Sequence, residues 1–280
     1  MLACVRVGKV LQIIVLILMC RLVGDLGSSI QLDELLYKPE HSLYHQSYNP
    51  KELKSGVVCA DGVGIGWYDD DGKAFIYRNT IPIWNDSNLE ELSHYVKSDS
   101  AVGYVRLAEA GSTLDISNCQ PFRSDKLLFV HNGAIANFQE TLYRPIRSSL
   151  SDAAYRQIKG ITDSEHIFAL LSEQWQFSPN CTLLDALRTT LITLTDMASK
   201  YDTSFSANVI VSDGQALCAS RYAYGTEAST LYWSTDDVNH PTRIIVASEP
   251  LSNQEWFPFA PQSTLFVKAN SLQPVTSLLG

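Results

Sequence analysis

The sequence predicts an α+β fold: antiparallel sheets with helices grouped beside them. Two apolar stretches, residues 63–68 and 74–77, flank Asp69-Asp70-Asp71-Gly72. Two more, 209–211 and 216–220, flank Ser212-Asp213-Gly214-Gln215. Both pairs read as hairpins closed at an Asp-Gly or neighbouring turn step. Two amphipathic helices then follow one another directly, one from Thr162 and one from about Leu183. Strands joined as hairpins and helices that come in a group exclude an alternating parallel sheet.

The remaining elements follow from spacing. Residues 101–107 and 127–130 are short apolar runs bounded by polar residues, and 231–233, 243–247 and 264–267 repeat the pattern, so all five are expected strands. Thr162 with Glu165 three residues on is a capping-box pattern, and Ile167, Leu170, Leu171 and Trp175 continue it at helical spacing. Leu184, Leu187, Leu191 and Leu194 place one stripe on a helix over 183–197. A third helix is expected over 138–150, with Pro145 interrupting or kinking it.

Size and charge narrow the function. Of the 280 residues, 45% are hydrophobic and 18% charged, as in ordinary globular proteins. A net charge of −9 and no basic cluster in the body of the chain argue against a nucleic-acid partner. The six cysteines contain no C-x-x-C pair, so no zinc knuckle or redox pair is indicated and a reducing cytoplasm is the default. Residues 1–19 carry Arg6 and Lys9 and then an apolar run at 13–19. That run is too short to span a bilayer and lacks a small-residue cleavage site. The leader reads as a mis-assigned start, with Met19 the true initiator and Cys20 the first residue once Met19 is removed. A targeting or anchoring segment and an integral part of the fold are the alternatives. The body, 20–280, reads as one domain.

Several signatures can be set aside. Gly62, Gly64 and Gly66 do not form G-x-G-x-x-G, since Trp67 holds the last position; they suit a strand that another backbone approaches closely. The triple Asp lacks calcium-loop spacing. No P-loop, H-E-x-x-H or G-x-S-x-G occurs. Four features remain, each with an ordinary structural reading beside a chemical one. Cys20 is either an inert thiol or, at a chain end, a nucleophile carrying its own amine base. Arg106, pointing opposite to Val105 and Leu107, is either a structural ion pair or a carboxylate clamp. His131-Asn132-Gly133 is either an Asn-Gly turn or a pair of oxyanion donors, the Asn132 amide and the Gly133 N–H. Asp163 is either a dipole-favoured helix start or a ligand for an ammonium group.

In this order the four features resemble the class II glutamine amidotransferases, which are N-terminal-nucleophile hydrolases. The similarity runs from Cys20 to the C-terminus and includes residues 60–68, Thr162-Asp163-Ser164-Glu165 and Ala247-Ser248-Glu249-Pro250-Leu251. Met19-Cys20-Arg21-Leu22, His41-Ser42-Leu43 with Gln46-Ser47-Tyr48, and residues 118–122 look like the γ-glutamyl-hercynylcysteine sulfoxide amidohydrolases of ergothioneine biosynthesis. The resemblance implies a four-layer αββα sandwich. It implies Cys20 as nucleophile, Asn132 and Gly133 as oxyanion hole, and Arg106 and Asp163 as holders of the substrate's carboxylate and ammonium. No metal or organic cofactor is implied, and the expected partner is a small γ-glutamyl molecule. A chain starting at Cys20 is expected to need no membrane. A glutaminase subunit serving a separate synthetase, and a non-catalytic γ-glutamyl-binding protein if the leader persists, are the competing expectations. Two positions depart from the family's usual residues: Glu109 replaces a threonine after Ala108, and Cys59 replaces an asparagine before Ala60.

Overall fold

The run Leu127-Leu128-Phe129-Val130 has no polar face, so a strand built from it must be covered on both sides. A computed structural model of the chain describes residues 20–52, 58–108, 114–177, 181–236 and 241–279, and shows how the cover is provided. The leader, residues 1–19, and Glu109 lie outside the described residues. One sheet contains β1 (Arg21–Gln31), β2 (Val63–Tyr68), β3 (Ala74–Asn79), β4 (Lys97–Val105), β9 (Tyr232–Thr235), β10 (Arg243–Ala247) and β11 (Phe257–Pro258). The other contains β5 (Phe122–Ser124), β6 (Leu127–Ile135), β7 (Phe205–Ser212), β8 (Ala216–Tyr224), β12 (Ser263–Lys268) and β13 (Val275–Leu278). Their orders are β11-β9-β10-β1-β4-β2-β3 and β13-β12-β8-β7-β6-β5, and the strand pairs within them are antiparallel.

Three apolar layers hold the stack together. Leu22, Leu26, Val102 and Tyr104 of the first sheet meet Leu128, Val130 and Ile210 of the second. The outer face of the second sheet, with Phe129, Phe205 and Val209, packs on α4 (Tyr143–Ser149), α6 (Asp163–Phe177) and α7 (Leu183–Lys200). The outer face of the first, with Val23, Ile65 and Val105, packs on α1 (Asp33–Leu36), α2 (Leu43–Tyr48) and α3 (Ser87–Tyr95). A short α5 (Asp152–Gln157) precedes α6. This is an α+β fold of two antiparallel sheets flanked by helices. Among the described residues no helix is long and apolar enough to cross a membrane.

Both expected hairpins form, with Gly72 and Gly214 in the left-handed region at φ 72° and 84°. The close approach expected at the glycine strand is present: a Cβ on Gly64 would lie 2.0 Å from the backbone oxygen of Gln120. Four expectations need correction. β6 does not stop at Val130 but runs through His131, Asn132 and Gly133 to Ile135. Asn132-Gly133 is therefore strand interior, paired with Asn208 and Ala207, and not a turn. The helix expected over 138–150 begins at Tyr143, which puts Pro145 in the first turn, where a missing N–H costs nothing. The capping box at Thr162 is half made. The Thr162 hydroxyl accepts from Glu165 N at 3.3 Å, but the Glu165 carboxylate accepts from the N–H groups of Lys159 and Gly160. The complete box is at Thr182 and Asp185. β1, which no pattern in the sequence announced, is a central strand of its sheet.

The Gly64 contact gives a stability test. Gly64→Ala is expected to lose at least ~1–3 kcal/mol, because the obstructing atom is backbone and cannot rotate away. Urea denaturation of the two proteins reads this directly.

Candidate active site

Cys20 is the residue immediately before β1, which lies between β10 and β4. The pairing Arg21↔Val105 continues outward to set Cys20 level with Arg106. Its thiol is buried, 8% exposed, and is caught at the end of β4: Leu107 N–H donates to Sγ at 3.3 Å, and Sγ–H faces Leu107 O at 3.5 Å. Burial pushes the thiol up from its ordinary value. Hydrogen bonds from Tyr104 and Leu107 and the positive charges of Arg106 and Arg21 oppose that shift without cancelling it.

Arg106 follows the last residue of β4. Its N–H donates to Gly62 O at 2.8 Å and its C=O accepts from Asp61 N at 3.0 Å, so its backbone is as fixed as a strand residue. The side chain is 5% exposed, and among the described residues Nη1 has no hydrogen-bond partner. A guanidinium left so in a buried site is costly unless an anion meets it.

Asn132 lies across the gap on β6. Alternation along the strand puts its side chain on the same face as Leu128 and Val130, toward the first sheet. It is 2% exposed, and neither Nδ2 nor Oδ1 has a partner among the described residues. Directly opposite, Asn208 donates through Nδ2 to the carbonyls of Ser229 and Thr230, at 3.0 and 3.1 Å. Its Oδ1 is likewise unpartnered among those residues.

The amides of β6 alternate in direction. His131 N–H donates to Gln120 Oε1 at 2.5 Å and Ile135 N–H to Asp163 Oδ2 at 2.8 Å, both away from β7. Gly133 N–H lies between them on the same edge. A Cβ on Gly133 would meet Ser206 O at 2.0 Å, so this position admits only glycine. Asp163 is anchored by Ile135 and, through Oδ1, by Ser164 N at 2.7 Å. A carboxylate has about four acceptor sites, which leaves room for a ligand donor. His131 Nε2–H donates to Ser206 O at 3.2 Å, so Nδ1 must accept from the Ser164 hydroxyl at 2.8 Å. Burial lowers the His131 pKa and keeps the ring neutral in this role.

Behind the thiol, on the helix side of β1, is a buried ionic cluster. Arg21 donates to Cys20 O at 3.0 Å through Nη1 and to Glu249 Oε1 at 2.8 Å through Nη2. Glu249 also accepts from His41 Nε2 at 2.7 Å and from the N–H groups of Lys51 and Glu52 at 2.8 and 3.2 Å. Burial alone would raise this carboxyl; the His41 bond, the Arg21 charge and the two amides outweigh it and hold it at about 2. A cleft of ≈ 190 Å³ lined by His41, Lys51, Glu52 and Glu249 lies against this cluster and not at the thiol.

The five residues singled out in the sequence thus lie just before β1, just after β4, within the last four residues of β6 and at the start of α6. Tyr104, Asn208, Arg21 and Glu249 were missed. Period-two spacing from Arg106 puts Tyr104 on the same strand face, a signal that was available. Cys59 is buried, and its N–H donates to Ser47 O at 2.7 Å.

Comparison with known proteins shows the family. The family model for class-II glutamine amidotransferases matches residues 40–232, a span that holds Arg106, Asn132, Gly133 and Asp163. A probable glutamine amidotransferase of Saccharomyces cerevisiae is 28% identical over 91% of this chain and 83% of its own length. The γ-glutamyl-hercynylcysteine sulfoxide hydrolase of Mycolicibacterium smegmatis is 28% identical over 83% of this chain and 88% of its own. Among solved structures, a class-II domain protein from Silicibacter pomeroyi superposes with TM-score 0.67 at 24% identity, covering 93% of this chain and all of its own. The glutamine phosphoribosylpyrophosphate amidotransferase of B. subtilis does so with TM-score 0.64 at 18%, over 93% of this chain and 49% of its own. The chain belongs to the class-II glutamine amidotransferases, hydrolases acting on amide bonds.

Two outcomes follow from the electrostatics. Glu249, ordinarily near 4.5 and held at about 2 when folded, adds stability that is present above pH ~4.5 and lost as pH falls toward 2. The stability gap between wild type and Glu249→Gln is therefore expected to shrink by about 2 kcal/mol from pH 5 to pH 3 in urea titrations. Tyr104→Phe removes a bond that favours the thiolate. Its Cys20 is expected to be alkylated more slowly by iodoacetamide at pH 7, with the rate–pH profile displaced to higher pH.

Proposed function

We propose that this protein hydrolyses γ-glutamyl amides through Cys20, working in a form whose chain begins at that residue. One observation carries the reading. Arg106 Nη1 and both polar atoms of Asn132 are buried and unpartnered among the described residues, on the faces the two sheets turn toward each other, and the Arg106 charge acts on the Cys20 thiol. Buried polar groups without partners are uncommon in folded proteins, and a set of them marks where a polar ligand is received. The donors and acceptors suit an amino-acid head joined to an amide: Arg106 takes the α-carboxylate, Asp163 the α-ammonium, and Asn132 with Gly133 the amide oxygen.

The chemistry needs only these groups. The free α-amine of Cys20, ordinarily near 8, takes the thiol proton, directly or through a water. The thiolate attacks the γ-carbonyl carbon, and the C=O pair moves to oxygen. The Asn132 amide and Gly133 N–H bind that oxyanion, worth about 3 kcal/mol per donor. Collapse breaks the C–N bond, and the leaving amine carries off the proton held by the α-amine. Water, deprotonated by the same amine, cleaves the thioester; glutamate leaves and the thiol is restored.

The resemblance at Met19-Cys20-Arg21-Leu22, His41-Ser42-Leu43 and 118–122, with the Mycolicibacterium relative, favours γ-glutamyl-hercynylcysteine sulfoxide as the substrate. Glutamine and glutathione-like γ-glutamyl peptides share the same head and are the substrates to compare. A glutaminase working for a separate synthetase is the second reading, favoured by the amidotransferase-named relative; it predicts glutamine turnover that rises on adding a partner.

Glutamate release from the three substrates tests the proposal in protein produced from Met19. Cys20→Ala is expected to abolish release; retained turnover would sink the mechanism. Asn132→Ala is expected to lower kcat by roughly 10²–10³-fold, and Arg106→Met to raise KM far more than it lowers kcat. Protein retaining residues 1–19 is expected to be inactive, because Cys20 then carries an amide nitrogen, which is no base. Mass spectrometry of the native N-terminus checks which form occurs.

A further inference from the structure

Arg21, His41, Gln46 and Glu249 are buried and take no part in the chemistry just described. Stability does not explain them. A buried ion pair is on average no more stabilising than well-packed apolar residues of the same volume. Yet the cluster is tied down from several sides. Glu249 holds Arg21, His41 and two backbone amides, and Gln46 Nε2 donates to the carbonyls of both His41 and Glu249, at 2.9 and 3.3 Å. The fork left over from this clamp, Arg21 Nη1, is spent on the carbonyl of Cys20.

We propose that Arg21, clamped by Glu249, which His41 in turn holds, is a positioning residue that sets the orientation of the Cys20 amine and thiol. The inference rests on the proposed function. A residue at a chain end has no preceding peptide to hold it, and an amine that acts as base must stay unacylated. Only its side chain and its own carbonyl remain as handles. Leu107 holds the thiol, and Arg21 holds the carbonyl. Fixing that carbonyl fixes the peptide plane, and with the thiol held at Leu107 as a second anchor, rotation about the Cα–C bond is confined, and with it where the amine stands. Glu249 makes the grip rigid. Its charge is maintained by three kinds of donor, and arginine offers two separate N–H arms at a fixed spacing, one for each acceptor. A lysine ammonium has no such fork.

The decisive variant is Arg21→Met/Glu249→Met in the protein that begins at Cys20, since it removes both charges together and leaves neither buried alone. Thermal melting is expected to show a folded protein. Its kcat is expected to fall roughly 10–100-fold, the cost of a misplaced reacting group. KM should stay within about threefold, because the residues that bind the glutamyl head are untouched. A folded double variant with wild-type kcat overturns the inference. If the double variant does not fold, Arg21→Lys carries the test alone: lowered kcat at unchanged KM supports positioning, and wild-type kcat overturns it. If the wild type cleaves no γ-glutamyl amide, the proposed function fails and alkylation decides this inference separately. The Cys20 iodoacetamide profile of Arg21→Lys, which keeps the positive charge, is expected to move up by about half a pH unit or more, as the amine leaves the thiol. An unmoved profile overturns it.

Discussion

The pairing of β1 with β4 is the contact on which the site depends. Arg21 opposite Val105 sets Cys20 beside Arg106 and delivers Sγ to the Leu107 amide. A slip of one residue would turn every β1 side chain over. Leu22 and Leu26 would leave the inter-sheet layer, and Val23 would leave the helix side. The apolar alternation that holds the sheets together is therefore the same alternation that aims the cysteine. Position is kept further by Gly24, where a Cβ would come within 2.7 Å of Ile210 on the facing sheet. The two sheets can approach here only because that residue has no side chain.

The rest of the inter-sheet space is ordinary apolar core, and its end is not. Tyr104 and Arg106 come from one sheet and Asn132 and Asn208 from the other, each set on the inward face by the two-residue period. Arg106 Nη1, both polar atoms of Asn132 and Asn208 Oδ1 have no hydrogen-bond partner among the described residues. Such groups are tolerated where a large surrounding core has stability to spare, as local strain at functional sites is. The helical layers supply it: α6 and α7 cover one sheet, and α6 also begins at Asp163, so one helix both stabilises the fold and presents a carboxylate.

What could be read from the sequence follows a physical line. Helices and hairpins were legible because their signals are local: a stripe of leucines, or glycine at a turn. Arg106 and Asp163 were legible as candidates because strand alternation and helix starts constrain where side chains point. β1 was not. Cys20-Arg21-Leu22-Val23-Gly24-Asp25 carries charges and a glycine that mask its strand pattern, yet Arg21 and Asp25 are buried, because Glu249 and Arg243, more than 200 positions away, pair with them. Asn132-Gly133 looks like a turn, since that dipeptide favours one. Eight residue pairs between β6 and β7, from Leu128↔Ser212 to Ile135↔Phe205, override the preference. Glu165 was assigned to its own helix cap, but Lys159 and Gly160 present two amides nearer to its carboxylate.

The electrostatics of the thiol bear on why the proposed mechanism uses the amine of Cys20 itself. Burial holds Cys20 protonated, and Arg106 is one of the charges that draws it back toward ionisation. In the proposed complex that charge is met by the substrate's own carboxylate, so its help to the thiolate fades as the ligand arrives. Asp163, meeting the ammonium, brings no compensation, because its charge is not among those that act on the Cys20 thiol. A nucleophile activated only by the field of its pocket would be least ionised when occupied. An amine on the same residue takes the proton whatever the occupancy, provided the residue is held so that the two groups meet, and that is the task left to the cluster behind β1.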